Sequence, residues 1–124
     1  MTDAPVLAVI DDDASVRTAL SGLLRSHDYA VAAFASAEAF LASAACQSAR
    51  CVVCDVQLPG GMSGIELKEA ISTPVILMTA FAGDAVLARA SQRGAVCVLR
   101  KPFGSDELMA CLARVGIGPF TRRL

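Results

Sequence analysis

Four short apolar runs of the chain each end on a polar residue that can do chemistry. Asp11 and Asp12 end the first run, Asp55 ends the second, Thr79 the third and Lys101 the fourth. Taken singly, an aspartate after a strand is usually a helix cap, and a lone lysine is usually a solvated surface residue. Their joint occurrence favours one shared site, because functional groups of open parallel sheets gather at the carboxyl ends of the strands.

The three carboxylates of this set predict a magnesium site. In one crevice they repel each other strongly at low effective dielectric, so positive charge must lie among them. Lys101 supplies one positive charge and a divalent cation supplies two. Hard oxygen ligands favour Mg²⁺, which binds through one or two carboxylates, waters and phosphate oxygens. The only histidine, His27, is predicted at the end of the first helix, which disfavours a transition-metal site at this edge.

The same residues indicate phosphoryl transfer. An ionised Asp55 beside Mg²⁺ can attack a phosphorus atom in line. Mg²⁺ and Lys101 can offset charge on the equatorial oxygens, and Thr79 can donate a hydrogen bond to one of them. The product is an acyl phosphate that the same Mg²⁺ and an in-line water can hydrolyse. The sequence therefore predicts a phosphorylation switch that returns to its resting state by hydrolysing its own acyl phosphate.

The elements that position these residues alternate along the chain. Apolar runs suited to buried strands alternate with stretches that have helical periodicity. Five strands alternating with five helices imply a parallel sheet with right-handed crossovers. Asp13 or Ser15 is expected to cap the first helix, and Ser105 the last. The predicted strands are 6–10, 29–34, 51–54, 75–78 and 96–99; the predicted helices cover 16–24, a stretch from Ser36, 65–71, 84–92 (stopped by Gly94) and 105–115.

Length, composition and charge narrow the class of protein further. The 124 residues suit one domain, and 55% of them are hydrophobic. The formal net charge is −1, so direct nucleic-acid binding by this chain is not expected. No apolar run reaches the length of a membrane span, and the N-terminus lacks a signal-peptide core. We therefore expect a cytoplasmic protein that does not enter a membrane.

The five cysteines suggest buried thiols. Cys51 and Cys54 spell C-x-x-C, but they fall in a predicted strand, where residues three apart point to opposite faces. A shared metal site or redox pair is therefore disfavoured, and core cysteines in a reducing compartment are predicted.

The ordered set of motifs resembles the receiver domain of bacterial two-component response regulators, over nearly the whole chain up to Val115. A further stretch, 34–41, is similar to the transcriptional subgroup typified by nitrogen-fixation regulators. The resemblance implies a flavodoxin-like (βα)₅ three-layer α/β sandwich with a parallel sheet of order 2-1-3-4-5. The motifs are Val9-Ile10-Asp11-Asp12, Asp55 with Leu58-Pro59, Met62-Ser63-Gly64, Thr79-Ala80 and Lys101-Pro102-Phe103.

The resemblance also implies roles for individual residues. Asp55 would be the phosphoacceptor, assisted by Thr79 and Lys101. The direct Mg²⁺ ligands would be Asp12, Asp55 and the backbone carbonyl of Gln57, with Asp11 acting mainly through water. The Lys101–Pro102 peptide bond is expected to be cis.

The implied partners follow from the family as well. A sensor histidine kinase would supply the phosphoryl group, and the output would be transcription through a separate DNA-binding domain. A homodimer would form through the face made by the 84–92 helix, the fifth strand and the last helix. Residues 1–116 would form the receiver domain, and residues 117–124 a tail or linker stub. Such a domain is not an enzyme, beyond its own phosphotransfer and autodephosphorylation.

Three departures from the family pattern concern activation and output. The aromatic residue usual three positions before the lysine is replaced by Val98. The stretch 64–75 is short, which predicts a clipped helix, and the loop at 59–62 is one residue longer than usual. Without the aromatic residue, we expect the signal to travel through Thr79 and the loop 80–83, where Phe81 is either a substitute moving ring or a fixed one.

Two other classes share parts of this chemistry. A phosphatase of the haloacid dehalogenase type needs a second acid two residues after the nucleophile, where this chain has Gln57. A flavodoxin-like electron carrier needs a phosphate-binding loop after the first strand, where Asp11, Asp12 and Asp13 would repel a phosphate. A small α/β domain whose acids are only helix caps is the remaining alternative.

Overall fold

The computed structural model describes residues 6–80 and 97–116. All strand pairs of its five-stranded sheet are parallel, and the order is β2-β1-β3-β4-β5. The predicted fold class and strand order are therefore confirmed. The strands are β1 (Val6–Ile10), β2 (Val31–Phe34), β3 (Ala49–Asp55), β4 (Val75–Thr79) and β5 (Cys97–Arg100).

Helices accompany the sheet throughout the described ranges. None of the helices in these ranges combines the length and apolar character that a membrane span requires. The predicted 84–92 helix, Gly94 and the loop 81–83 lie outside the described residues. The helices are α1 (Ala14–Ser26), α2 (Ala37–Leu41), α3 (Ala45–Ser48), α4 (Gly64–Ala70) and α5 (Ser105–Val115).

Two hydrophobic layers cover the sheet, one on each face. Because side chains alternate along a strand, Cys51 and Val53 of β3 belong to the layer that holds α1 and α5. Val52 and Cys54 belong to the layer that holds α2 and α4. The two cysteines of the C-x-x-C therefore face opposite layers, as predicted. Four of the five cysteines are buried, and all five are free thiols.

The second strand begins later than predicted, at Val31 rather than Tyr29. Asp28 has a left-handed backbone (φ 70°), and the Tyr29 N–H donates to the Leu24 carbonyl at 3.1 Å. These residues therefore complete the C-terminal turn of α1. Contact with β1 starts at Ala30, whose carbonyl accepts from the Leu7 N–H at 2.8 Å.

The helix that follows Ser36 is short and is succeeded by α3, which was not predicted. Ser36 caps α2 by accepting the Ala39 N–H at 3.1 Å. The hydroxyl and the N–H of Ser43 both donate to the Phe40 carbonyl, at 2.8 and 3.0 Å. This local serine turn competes with helical hydrogen bonding, so the chain leaves α2 there.

One cap agrees with the predictions, whereas a second cap and two strand boundaries differ. Asp13, one of the two residues expected to cap α1, does so by accepting the Ser15 N–H at 2.8 Å. The cap of α5 is Gly104 rather than Ser105, and the Gly104 N–H donates to Glu107 at 2.9 Å. The third strand is longer than predicted, and the fifth runs Cys97–Arg100, with Val96 outside the described residues.

The seven-residue α4 confirms the predicted clipped helix, and Gly64 places it against the end of β3. A Cβ at this position would lie 2.5 Å from the backbone carbonyl oxygen of Asp55. The Gly64 N–H also donates to the Val56 carbonyl at 3.0 Å. Glycine is required here by the close approach of the two backbones.

Candidate functional site

The strand register brings the chemically active residues to one edge of the sheet. Ile10 of β1 pairs with Cys54 of β3, so Asp11 and Asp55 are the next residues on adjacent strands. Thr79 of β4 pairs with Arg100 of β5, so Lys101 follows directly beside it. The predicted gathering of these residues at the carboxyl ends of the strands is confirmed.

Three carboxylates converge at this edge. One oxygen each from Asp11, Asp12 and Asp55 lies within 4.8 Å of the others. Asp11 and Asp55 are buried, whereas Asp12 is exposed to solvent. This set of hard oxygen donors, open to water on one side, fits a small divalent cation such as Mg²⁺.

Lys101 lies between the two buried carboxylates. Its Nζ is 2.7 Å from Oδ2 of Asp11 and 2.7 Å from Oδ2 of Asp55. The other oxygen of each carboxylate accepts a backbone N–H, from Asp13 at 2.9 Å and from Gln57 at 2.8 Å. Each buried carboxylate is therefore oriented by one ammonium contact and one backbone contact.

The electrostatics of Asp55 and Lys101 reflect this partial burial. Desolvation raises the pKa of Asp55, and the hydrogen bonds from Lys101 and the Gln57 N–H only partly oppose it. Burial alone would lower the pKa of Lys101, but its hydrogen bonds to Asp11 and Asp55 outweigh that effect and raise it. The lysine is therefore held in its charged form.

Thr79 and the turn after β5 complete the edge. Thr79 is buried at the end of β4, and its carbonyl accepts the Lys101 N–H at 2.8 Å. The Lys101–Pro102 peptide bond is cis, as predicted. The catalytic roles assigned to Asp55, Thr79 and Lys101 remain predictions. The metal-binding roles assigned to Asp11, Asp12, Asp55 and the Gln57 carbonyl remain predictions too.

Two contacts at this edge were not predicted from the sequence. Arg17 of α1 donates from Nη1 to the Asp11 carbonyl at 2.8 Å. Glu38 of α2 accepts the Met62 N–H at 2.7 Å, across 24 residues of sequence. The one sequence signal for the second contact is Gly61, a small residue facing the Glu38 carboxylate. No comparable signal marks Arg17, which the helical pattern places only on the polar side of α1.

The structure places an acidic cluster with a bridging lysine at the carboxyl edge of a 2-1-3-4-5 parallel sheet. This is the arrangement that the sequence motifs predicted for a receiver domain. Residues 7–113 match the family model of the response regulator receiver domain. The chain therefore belongs to the response regulator receiver family, as the sequence motifs predicted.

Individual relatives agree with this assignment. The transcriptional regulatory protein FixJ of Bradyrhizobium diazoefficiens is 42% identical over 118 residues, which cover 90% of this chain and 57% of that protein. The crystal structure of FixJ-N is 31% identical with a TM-score of 0.79, covering 93% of this chain and 94% of that chain. The structure of chemotaxis protein CheY4 of Vibrio cholerae is 27% identical with a TM-score of 0.80, and the match covers 91% of this chain and 99% of that chain. The chain spans about half the length of the curated relatives it matches.

Proposed function

We propose that Asp55 of this receiver domain accepts a phosphoryl group from a sensor histidine kinase in a Mg²⁺-dependent reaction. The observation that carries the proposal is the placement of Asp55 within one cluster with Asp11, Asp12 and Lys101. A buried aspartate held by a lysine and backed by two further acids combines a nucleophile with a cation-binding set. A helix cap needs none of these neighbours.

The transfer uses Asp55 as the nucleophile. A carboxylate oxygen of Asp55 forms a bond to phosphorus while the bond from phosphorus to an imidazole nitrogen of the donor breaks. The bonding pair leaves with that nitrogen; the imidazole departs neutral when its other nitrogen already carries a proton, and otherwise takes a proton from solvent. The ammonium of Lys101 contacts Asp55 in the unphosphorylated protein and shifts to contact a phosphoryl oxygen, whose negative charge it offsets. The Thr79 hydroxyl donates a hydrogen bond to another oxygen.

The proposed metal site would use neighbouring oxygen donors at this edge. Asp12 and Asp55, with the backbone carbonyl of Gln57, would hold Mg²⁺ directly, and Asp11 would act mainly through water. When bound, the ion supplies positive charge that offsets the charge on the transferred phosphoryl group. The exposure of Asp12 supports this assignment, because a metal that keeps several waters needs one open side.

The acyl phosphate formed on Asp55 is the switched state, and water attacking phosphorus in line returns the free carboxylate and inorganic phosphate. Each cycle consumes one phosphoryl group from the kinase and hydrolyses no small phosphate ester, so the domain acts as a phosphoacceptor switch rather than as an enzyme. This distinguishes it from a phosphatase of the haloacid dehalogenase type.

The wider role follows from the relatives. Several of them are described as transcriptional regulatory proteins, which supports transcription as the regulated output, through a DNA-binding domain outside this chain. Gly116, left-handed at φ 84°, ends α5 and supports a receiver unit of 1–116 followed by a tail or linker. The homodimer through the 84–92 helix, β5 and α5, and a cytoplasmic location, belong to the same proposal.

Acetyl phosphate with Mg²⁺ provides the direct test. We expect one phosphoryl group per chain by mass spectrometry, lost on treatment with hydroxylamine, and none in Asp55→Asn. Asp28→Asn is the matched control, because asparagine tolerates the left-handed backbone of that exposed residue and full labelling is expected. Labelling of Asp55→Asn equal to wild type would refute the assignment. Steady release of phosphate from an excess of donor esters would favour the phosphatase instead.

A further inference from the structure

The loop that follows Asp55, residues 57–63, is attached at both ends to the phosphoacceptor strand. At its start the Gln57 N–H donates to Asp55 Oδ1 at 2.8 Å. At its end the Gly64 N–H donates to the Val56 carbonyl at 3.0 Å. The loop between these two contacts begins at Gln57, whose carbonyl is a proposed metal ligand, so the conformation of the loop bears on that ligand.

The middle of the loop is held from a distant element. Glu38 Oε2 accepts the Met62 N–H at 2.7 Å. This hydrogen bond, followed by one from its own N–H, lowers the pKa of Glu38, so the carboxylate is ionised at neutral pH. A charged acceptor makes a hydrogen bond roughly twice as strong as a neutral one.

The position of Glu38 is itself fixed by packing. Phe40, two residues further along α2, is fully buried. Its ring meets the ring of Phe34 edge to face, with centroids 5.6 Å apart. Ser36 caps the same helix. The carboxylate is therefore presented to the loop by a rigid support, although its own side chain is exposed.

Gly61 leaves room for this carboxylate beside the loop. A Cβ at Gly61 would lie 2.6 Å from Glu38 Oε2 and 2.9 Å from Oε1. Gly60, by contrast, has a left-handed backbone at φ 81°, and a Cβ at this position would meet nothing within 4 Å. Gly60 thus serves the turn, whereas Gly61 leaves room for Glu38.

We infer that Glu38 is a positioning residue for phosphoryl transfer, acting by fixing the 57–63 loop beside Asp55 through the Met62 N–H in the space left by Gly61. This inference rests on the proposed function for its catalytic consequence. Its effect on metal binding does not require phosphoryl transfer, so the two can fail separately.

The test is a double-mutant cycle on Glu38 and Gly61, read by Mg²⁺ titration and by the rate of labelling with acetyl phosphate. Glu38→Ala and Gly61→Ala should each weaken Mg²⁺ affinity and slow labelling by about fivefold to tenfold, the size expected for one net hydrogen bond to an exposed side chain. The double variant should match Glu38→Ala, because the added methyl group then meets no carboxylate. Glu38→Gln, which keeps a neutral acceptor oxygen, should lose only about twofold to threefold.

Controls separate this from general damage. Gly22→Ala adds a methyl group where nothing lies within 4 Å and should change neither readout. Unchanged Mg²⁺ affinity and labelling in Glu38→Ala would overturn the inference. Equal losses from Gly61→Ala in the wild-type and Glu38→Ala backgrounds would overturn it too. A wild-type chain that binds Mg²⁺ with the expected variant pattern, yet is never labelled, would contradict the proposed function and leave Glu38 as a determinant of the metal site.

Discussion

The ammonium of Lys101 lies 2.7 Å from a carboxylate oxygen of Asp55, 46 residues earlier in the chain. The same nitrogen is equally close to Asp11. One cation therefore bridges two buried acids and offsets their mutual repulsion, while Asp12 remains on the solvent side. The charge balance of the site without metal depends on this lysine.

Lys101→Met should destabilise the metal-free domain while keeping the apolar stem of the side chain. At about 5 Å and an effective dielectric of about 20, two carboxylates repel by roughly 3 kcal/mol. Because Lys101 is partly exposed, we expect a loss of about 2 kcal/mol, or roughly 5–10 °C in melting temperature. Calorimetry without Mg²⁺ measures it, with Lys101→Arg as the charge-preserving control. Added Mg²⁺ should recover more stability in Lys101→Met than in wild type, and an equal recovery would contradict this account.

Mg²⁺ should raise the melting temperature of wild type with concentration, since an ion that binds only the native state stabilises it by mass action. Asp12→Ala should lose most of this response with little change in metal-free stability, because Asp12 is exposed. Asp11→Ala should keep more Mg²⁺ affinity but lose stability, because Lys101 and the Asp13 N–H each lose a partner. Titration calorimetry distinguishes the two. Wild-type affinity in Asp12→Ala would contradict its role as a direct ligand.

The cysteines should differ sharply in reactivity. Burial raises the pKa of Cys51 to about 12 and that of Cys111 to about 12. Cys46 is only partly buried. At pH 8 we expect a thiol reagent to modify Cys46 quickly in the native protein, and all five thiols after denaturation.

The same shifts set a direction for alkaline stability. A thiol whose pKa is raised on folding contributes stability that is present below the ordinary value of 9.0. That contribution is lost as the pH rises through about 9 to 12. The melting temperature should therefore fall across this alkaline window.

In the labelling experiment at pH 8, two or more fast-reacting thiols in the native protein would show that the core is more open than the structure indicates.

Val98 should be dispensable for activation. It is partly buried against the layer that holds α2 and α4, and as a small β-branched residue it has no ring to move. We expect Val98→Ala to retain the spectral response to beryllofluoride, whereas Thr79→Ala should lose most of it, because the route is predicted to run through Thr79. Backbone amide shifts with and without beryllofluoride provide the measurement. A response abolished by Val98→Ala and kept by Thr79→Ala would exclude this route, which continues into residues 81–83 outside the described part of the chain.

The sequence predicted that these residues gather at one edge because they occupy strand ends. Asp11, Asp55 and Thr79 follow continuous apolar runs, and a parallel sheet brings such ends together whatever the intervening chain does. The secondary structure between Ser36 and Asp55 was less predictable. The end of α2 at Ser43 depends on a local serine turn that a hydrophobic pattern does not encode.

The support of the site by Glu38 could not be derived from periodicity. The contact joins an exposed helix residue to a backbone N–H in a loop, and neither group leaves a trace in hydrophobic patterning. The Gly104 cap of α5 was missed for a related reason, since Ser105 is the better capping residue by type. Both depend on backbone positions rather than on residue type.

The interior place of β3 has a consequence for hydrogen exchange. β1, β3 and β4 each have a strand on both sides, whereas β2 and β5 form the margins of the sheet. Amides of interior strands exchange with deuterated solvent only through the largest openings of a domain. Three of the four strands that carry the acidic cluster, Thr79 and Lys101 are therefore among the slowest to exchange. The acidic cluster and Thr79 should survive any partial opening that frays the margins and disappear only when the whole domain unfolds.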